Sequence, residues 1–436
     1  MNWQQRRISA EEAAQKVVSG QRIFLTGNCS VPQVFVQALL DRYQELEHVE
    51  VVQLLDLGPE GNKITEDIAE HIRINTFFIS GNVRKAVNAG LADFTPVFLR
   101  EIPLLFRSGR MALDIAVIQV SPPDQHGYCS YGVEVGVTKA AAESAGLVIA
   151  EVNPNMPRTL GDSFIHVSQI DCFIEVDYML PELKPEPPSP VQDRIADHIA
   201  ALIPDAATLQ MGIGGIPDAV LRRLTDHKNL GIHTELFSDG VMEMIEMGVI
   251  TNSAKTIHTG KVVSGFVLGT QRLYKYIDDN PIFELHPTEY VNDPVIIAQN
   301  DRMVSINSAI EVDLTGQVCA DSIGYRLYSG VGGQVDFVRG AARSKDGQTF
   351  IALPSTTKDG TISRIVPHLK EGAGVTTSRN DVHCIVTEYG VADLYGRSIS
   401  ERVHALVSIA HPDFREELLA FAQERHYIGR SYSLGS

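Results

Sequence analysis

Among the 436 residues of this chain, few segments have residue types and spacing that could do chemistry. In MGIGGIPD (211–218), Gly212, Gly214 and Gly215 would let a ligand approach the main chain closely, and Pro217 suits the first turn of a helix whose unpaired N–H groups would face that ligand. The first two glycines have the spacing of a dinucleotide fingerprint, but Pro217 stands where its third glycine would be, so a Rossmann reading is weak. The segment suits an extended anionic or amide-bearing ligand; a strand-to-helix turn that uses glycine for packing alone is the competing reading. A second cluster, Gly330, Gly332 and Gly333 in YSGVGGQVDF (328–337), presents successive amides that could stabilise an oxyanion or form an ordinary β-turn. Glu235 in HTELFSDG (233–240) is a lone carboxylate at the expected C-terminal end of a strand, flanked by apolar Leu236 and Phe237. Position makes it a candidate only, because glutamates at strand ends are more often solvated caps.

Other chemistries lack support. There is no G-x-x-x-x-G-K-[ST] phosphate loop, no H-E-x-x-H helix and no G-x-S-x-G elbow. The fourteen histidines are dispersed, and His126 or His233 reads more readily as a satisfied polar residue than as a ligand. Cysteines at 29, 129, 172, 319 and 384 form no C-x-x-C pair, which predicts neither a disulfide framework nor structural zinc, and fits a reducing compartment. A net charge of -17 argues against nucleic acid or an anionic membrane as partner. The first twenty residues contain no apolar core of signal-peptide length, and no run of about 18 apolar residues follows, so a cytoplasmic protein is expected.

These candidates need elements to hold them. Ser9 to Glu12 has capping-box spacing and predicts a helix start. RIFLTG (22–27) then reads as a strand, followed by a turn and an amphipathic helix at VFVQALLDRY (34–43). The same order returns at 208–224, where Gly212 and Pro217 stand five apart, as Gly27 and Pro32 do. Further β-rich runs (49–58 and 230–240) and glycine turns (Ser80 and Thr259) follow each unit, which points to two related halves. LPELKPEPPSP (180–190) carries five prolines and is expected to be an extended connection, placing one domain at 1–188 and a second at 189–436. Runs at 112–120, 301–314 and 381–390 are β-branched and mostly apolar, as buried strands are. The expected fold is α/β: two similar open domains, each with a mostly parallel sheet flanked by helices, and with ligand sites where strands end.

Five blocks, GIGGIPDAV (212–220), HTELFSDG (233–240), INSAIEVDLTGQV (306–318), SGVGGQVDF (329–337) and TEYGVADLYGRS (387–398), together resemble the acetyl-CoA hydrolase/transferase family, above all its 4-hydroxybutyrate and butyrate CoA-transferase branch. The resemblance runs nearly end to end and in family order. It implies that Glu235, in the second domain, carries the acyl group and then CoA. A glutamate with a pKa of about 4.3 is ionised at pH 7 and needs no adjacent base, so the missing triad is expected. It further implies that Gly212, Ile213, Gly214, Gly215 and Ile216 line coenzyme A, that Gly333 lies beside it, and that Lys358 in PSTTKDG touches it. A solvated loop lysine is the alternative for Lys358.

The function so implied is transfer of CoA between acetyl-CoA and a short-chain carboxylic acid, with 4-hydroxybutyrate favoured. The route is ping-pong through a glutamyl-CoA thioester in a crevice that excludes water, with no metal. Butyrate or succinate as acceptor, plain acetyl-CoA hydrolysis, and a non-catalytic CoA-binding protein stay open as alternatives. Glu311 in SAIEVDL is the second claimant to the nucleophile's role, Asn307 could donate to an oxyanion or cap a turn, and Glu388 and Asp393 have no assigned task. Assembly as a homo-oligomer is expected because related enzymes assemble so.

Overall fold

The structure is a computed structural model and describes residues 3–58, 65–212 and 214–429. Of the candidate site residues, Ile213 alone lies outside the described residues. Backbone contacts divide the chain into two units, one of Met1–Lys184, Thr234–Met242 and Lys261–Asp293, the other of Pro185–His233, Glu243–Gly260 and Pro294–Ser436.

The first unit is organised by seven strands: β1 (Arg22–Leu25), β2 (Val49–Gln53), β3 (Ile72–Thr76), β4 (Asp93–Phe94), β5 (Ile115–Val120), β6 (Leu147–Val152) and β7 (Cys172–Glu175). They pair in parallel in the order β4-β3-β2-β1-β5-β6-β7. Parallel strands are covered on both faces, so they read as continuous apolar runs, and all six residues of β5 are buried. The predicted capping box at Ser9 and Glu12 is present. The helix expected at 34–43 runs Gln33–Leu40 and stops where Asp41 and Arg42 end the apolar stripe; it buries Phe35, Val36, Ala38 and Leu39 against the core that includes Ile23, Leu25 and Val51.

In the second unit β8 (Thr208–Met211) pairs in parallel with the first residues of β9 (Gly231–Phe237), whose residues from Thr234 onward belong to the first unit. The first unit also contains the parallel pair β10 (Val262–Val267) and β11 (Phe283–Leu285), joined by the helix Gln271–Ile277. On its other side β8 pairs with β12 (Met303–Ser308), which leads through β13 (Gln348–Ala352) and β14 (Cys384–Thr387) to the antiparallel β15 (Gly390–Asp393). β1 lies between β2 and β5 as β8 lies between β9 and β12, so the same winding occurs twice. The run at 301–314 does not form one strand: after Ser308 it breaks, and Glu311–Asp313 joins a small sheet with Val318–Cys319 and Ile365–Val366.

Equal Gly–Pro spacing does not mean equal placement. Pro32 precedes its helix, whereas Pro217 is the third residue of the helix Gly215–Arg223. Among the described residues no helix is long and apolar enough to cross a membrane.

Candidate functional site

The glycine loop forms because β8 ends at Met211 and the chain must turn at once into a helix. Gly214 makes that turn at φ +118°, a conformation that side chains resist, and caps the helix Gly215–Arg223. Gly215 faces the side chain of Gln192, which a Cβ there would meet. Gln192 in turn closes the capping box of Ser189 at the start of the helix Pro190–Ala200, immediately after the proline-rich stretch. The structure therefore brings linker, glycine loop and the second unit's sheet ends to one place.

That place is a cavity of about 720 Å³ lined by Gly214, Gly215, Ile216, Lys358, Arg364 and Glu388, among others. Three of the predicted glycine-loop residues and Lys358 thus line the same cavity. Gly212 and Gly333 are not among the lining residues. The Gly212 N–H donates to the Ile306 carbonyl at 3.3 Å, and Gly333 is buried as the N-cap of the helix Gln334–Arg343. Lys358 is exposed, while Arg364 is half-buried. Burial pulls the Arg364 guanidinium below its ordinary pKa, against the opposing influence of Tyr328 and Glu388.

Glu388 acquires a task that the sequence did not suggest. Its carboxylate accepts from Ser355 Oγ at 2.7 Å and from the Ser355 N–H at 2.9 Å, fixing the start of the loop that carries Lys358. Asp393, at the end of β15, accepts from the Tyr395 N–H at 3.2 Å. Glu311 is 3 % exposed and spends one carboxylate oxygen on the Lys370 N–H at 2.8 Å. The side chain of Asn307 forms a reciprocal amide pair with Gln210, at 3.1 and 3.3 Å.

Glu235 lies near the end of β9, in the first unit. Leu236 and Phe237 beside it are buried, Phe237 stacking on Phe283 at 5.3 Å between ring centroids, while Glu235 itself is half-buried. Asn292 Nδ2 donates to Glu235 Oε2 at 2.8 Å, and Ser264 Oγ donates to its carbonyl at 3.1 Å. A carboxylate positioned by the Asn292 amide and followed by two buried apolar side chains suits direct attack on an activated carbonyl.

Three residues near Glu235 went unnoticed in the sequence: Asn28, Glu134 and Asn292. Glu134 is 1 % exposed and accepts from Asn28 Nδ2. A signal existed, since a glutamate inside GVEVGV is a charge within a run otherwise made of valine and glycine.

Residues 1–185 match the N-terminal domain of the acetyl-CoA hydrolase/transferase family, and residues 269–422 match its C-terminal domain. The chain belongs to that family. Within the acetyl-CoA hydrolase/transferase proteins it is 51% identical to the 4-hydroxybutyrate coenzyme A transferase of Clostridium kluyveri, over 96% of this chain and 98% of that one. It is 48% identical to the succinyl-CoA:acetate/propanoyl-CoA:succinate CoA transferase of Fasciola hepatica, over 93% and 85%. The crystal structure of 4-hydroxybutyrate CoA-transferase from Porphyromonas gingivalis superposes with a TM-score of 0.84 at 43% identity, covering 97% of this chain and 98% of that one. The family's α/β fold, with mostly parallel sheets flanked by helices, is the fold expected from the sequence.

Proposed function

We propose that this chain moves CoA between acetyl-CoA and 4-hydroxybutyrate, using Glu235 as a transient covalent carrier. It is an acyl-CoA:carboxylate CoA-transferase by its family and relatives. The 51% identity to a 4-hydroxybutyrate enzyme carries the choice of acid, and the half-buried Glu235 held by Asn292 supports the choice of nucleophile.

A Glu235 carboxylate oxygen attacks the thioester carbonyl, the C–S bond breaks, and CoA leaves as thiolate, giving a glutamyl–acyl anhydride. The thiolate attacks the glutamyl carbonyl, the anhydride C–O bond breaks, and the first acid leaves as carboxylate. A glutamyl-CoA thioester remains. The second carboxylate attacks that thioester and the thiolate returns to the new acyl carbonyl, restoring Glu235. One negative charge is present at each stage and no proton is exchanged, so no acid–base pair is needed. Water must be kept from the anhydride, a need that buried Leu236 and Phe237 serve.

The cavity of the second unit suits the long CoA arm. Exposed Gly214 allows backbone approach, and Lys358 and Arg364 are the cations among its lining residues. Succinate is the second reading of the acid, because the 48% identical relative is named for it.

The test is an initial-rate screen of acetyl-CoA against short acids with a no-acceptor control, joined to intact-protein mass spectrometry. Preference for 4-hydroxybutyrate and a hydroxylamine-sensitive adduct on the Glu235 peptide are expected. Turnover without acceptor would indicate a hydrolase. CoA binding without turnover, or full activity in Glu235→Ala, would end the proposal.

A further inference from the structure

Behind the half-buried carboxylate lies a second, fully enclosed one. Glu134 sits in the segment that follows the strand Tyr128–Ser130 and pairs across an antiparallel bridge with Phe266 of β10. Two physical links join its segment to Glu235. The Val135 and Gly136 N–H groups both donate to the Gly265 carbonyl, and a Cβ on Gly265 would lie 3.1 Å from the Glu235 carbonyl oxygen. The Gly136 carbonyl also accepts from the Thr288 N–H at 3.1 Å, at the start of the short helix Thr288–Val291, and Asn292 follows that helix directly. The segment that holds Glu134 therefore also anchors the residue that holds Glu235.

The polar atoms of this cluster do not balance if both glutamates are ionised. Asn28 Oδ1, Glu134 Oε1 and Asn292 Oδ1 are buried acceptors with no hydrogen-bond partner among the described residues. All three are oxygens seeking donors, and unmet buried acceptors are costly. One proton on Glu134 turns an orphaned acceptor into a donor. Among the described residues no ion pair brings a cation to Glu134, and Glu289 on the Thr288–Val291 helix is committed to Arg107.

We propose that Glu134 is a positioning residue for the transfer reaction, a buried carboxyl that keeps its proton while Glu235 is ionised, so that the two do not carry charge together. This rests on Glu235 being the nucleophile. The acceptor acid arrives as an anion, and each tetrahedral intermediate carries an oxyanion. A second fixed negative charge would oppose both.

Burial lifts the Glu134 carboxyl to about 8, outweighing the Asn28 amide and Val137 N–H that favour its ionised form, and the charge of Glu235 adds to the rise. Cys29 is a further titratable group beside it, which burial pushes up to about 11 and which bonds to Tyr274 on the helix Gln271–Ile277, itself raised and near Asp239. Burial holds both the thiol and the phenol above their ordinary values, so the Glu134→Gln variant is what assigns an alkaline transition to Glu134.

The experiment measures initial rates from acetyl-CoA and acceptor acid between pH 6 and 9.5 on the full chain, corrected for non-enzymatic thioester loss. Wild type is expected to lose about ten-fold or more in kcat/KM for the acid across the alkaline limb, with KM for the acid rising. Glu134→Gln, which keeps the carbonyl acceptor for Asn28 but cannot ionise, should match wild type near pH 7 and show a flat limb. An unchanged limb in this variant would overturn the inference. If the variant fails to fold, infrared difference spectra of wild type between pH 7 and 9.5 decide: loss of a protonated-carboxyl stretch supports the assignment, and its absence refutes it. Glu235→Ala run in parallel separates the two ideas, because full activity there defeats the nucleophile reading whatever Glu134 does.

Discussion

Asn292 and Glu235 are joined by a 2.8 Å hydrogen bond from Nδ2 to Oε2, across 57 positions of sequence and within one unit. Asn292 is fully buried and follows a helix of only four residues, Thr288–Val291, whose first residue is tied to Gly136. One carboxylate oxygen is thereby fixed relative to a rigid segment.

Asn292→Ala is expected to lower kcat while changing KM for the acyl-CoA little. Two effects oppose each other. A hydrogen bond to a carboxylate stabilises it by about 1.5–3 kcal/mol and so dulls its attack, but a misplacement of about 1 Å can cost about 100-fold in rate. With the hydrogen bond to this half-buried carboxylate at the lower figure, the positional loss exceeds it by about 1 kcal/mol, and a fall in kcat of about five-fold follows. Asn292→Asp should fall further, because a second anion would then face Glu235. Initial rates and the yield of the Glu235 adduct check this; an unchanged kcat in both variants would show that Asn292 only fills space.

Lys358 is exposed at the rim of the second unit's cavity, where a point charge is worth about 1 kcal/mol at most. Lys358→Ala should therefore raise KM for acyl-CoA about five-fold, with kcat within about two-fold of wild type. The wild-type KM should also climb with salt, and the variant's less so, since exposed charges are screened over about 10 Å at 0.1 M. Equal salt dependence in the two proteins would remove Lys358 from CoA recognition.

The sequence exposed the parts of this site that depend on backbone. The Gly214 turn is legible because glycine is the residue that adopts its φ freely, and the capping boxes of Ser9 and Ser189 are legible because they are local. Glu134 was hidden for the opposite reason. In GVEVGV the alternation of valine with another residue reads as a strand with one wet face, but Val133, Glu134 and Val135 are all buried, and their partner Phe266 lies 132 positions further on. The break after Ser308 was equally invisible, since 301–314 is uniformly β-rich and only the antiparallel partner Val318–Cys319 ends the longer strand. Glu388 could be seen as a family marker, but its hold on Ser355 is a contact between two loops that no local pattern specifies.

Gly214 offers a test of backbone freedom separate from crowding. A Cβ there would touch nothing within 4 Å, so Gly214→Ala introduces conformational strain without a clash. A cost of about 1–3 kcal/mol is expected for a side chain held at that φ. If the loop relieves the strain by moving, CoA binding should weaken with little change in melting temperature; if it is held rigid, the melting temperature should fall. Calorimetric melting with CoA titration distinguishes these, and a variant unchanged in both would show that the turn is not needed in this form.

Stability should fall as pH rises through neutrality, on account of Glu151. This side chain on β6 is fully buried and accepts from the Phe35 N–H at 2.7 Å and from Tyr178 Oη at 2.5 Å. Burial raises its pKa to about 7, more than those bonds lower it. In the unfolded chain it would titrate near the ordinary carboxylate value, so between roughly pH 4.5 and 7 the folded form retains a proton that the unfolded form has released. The stabilisation is complete below pH 4.5 and is lost as pH rises through 7, by an amount on the order of 3 kcal/mol. Glu134 acts in the same direction over a window reaching about 8. Denaturant melts from pH 4.5 to 8.5 should show wild type losing stability across that range. Glu151→Gln should lose less, and the Glu151→Gln/Glu134→Gln double variant should be nearly level. Parallel slopes for wild type and the double variant would mean that both carboxyls titrate in the folded protein as they do in the unfolded one. In that case burial would not be setting their protonation.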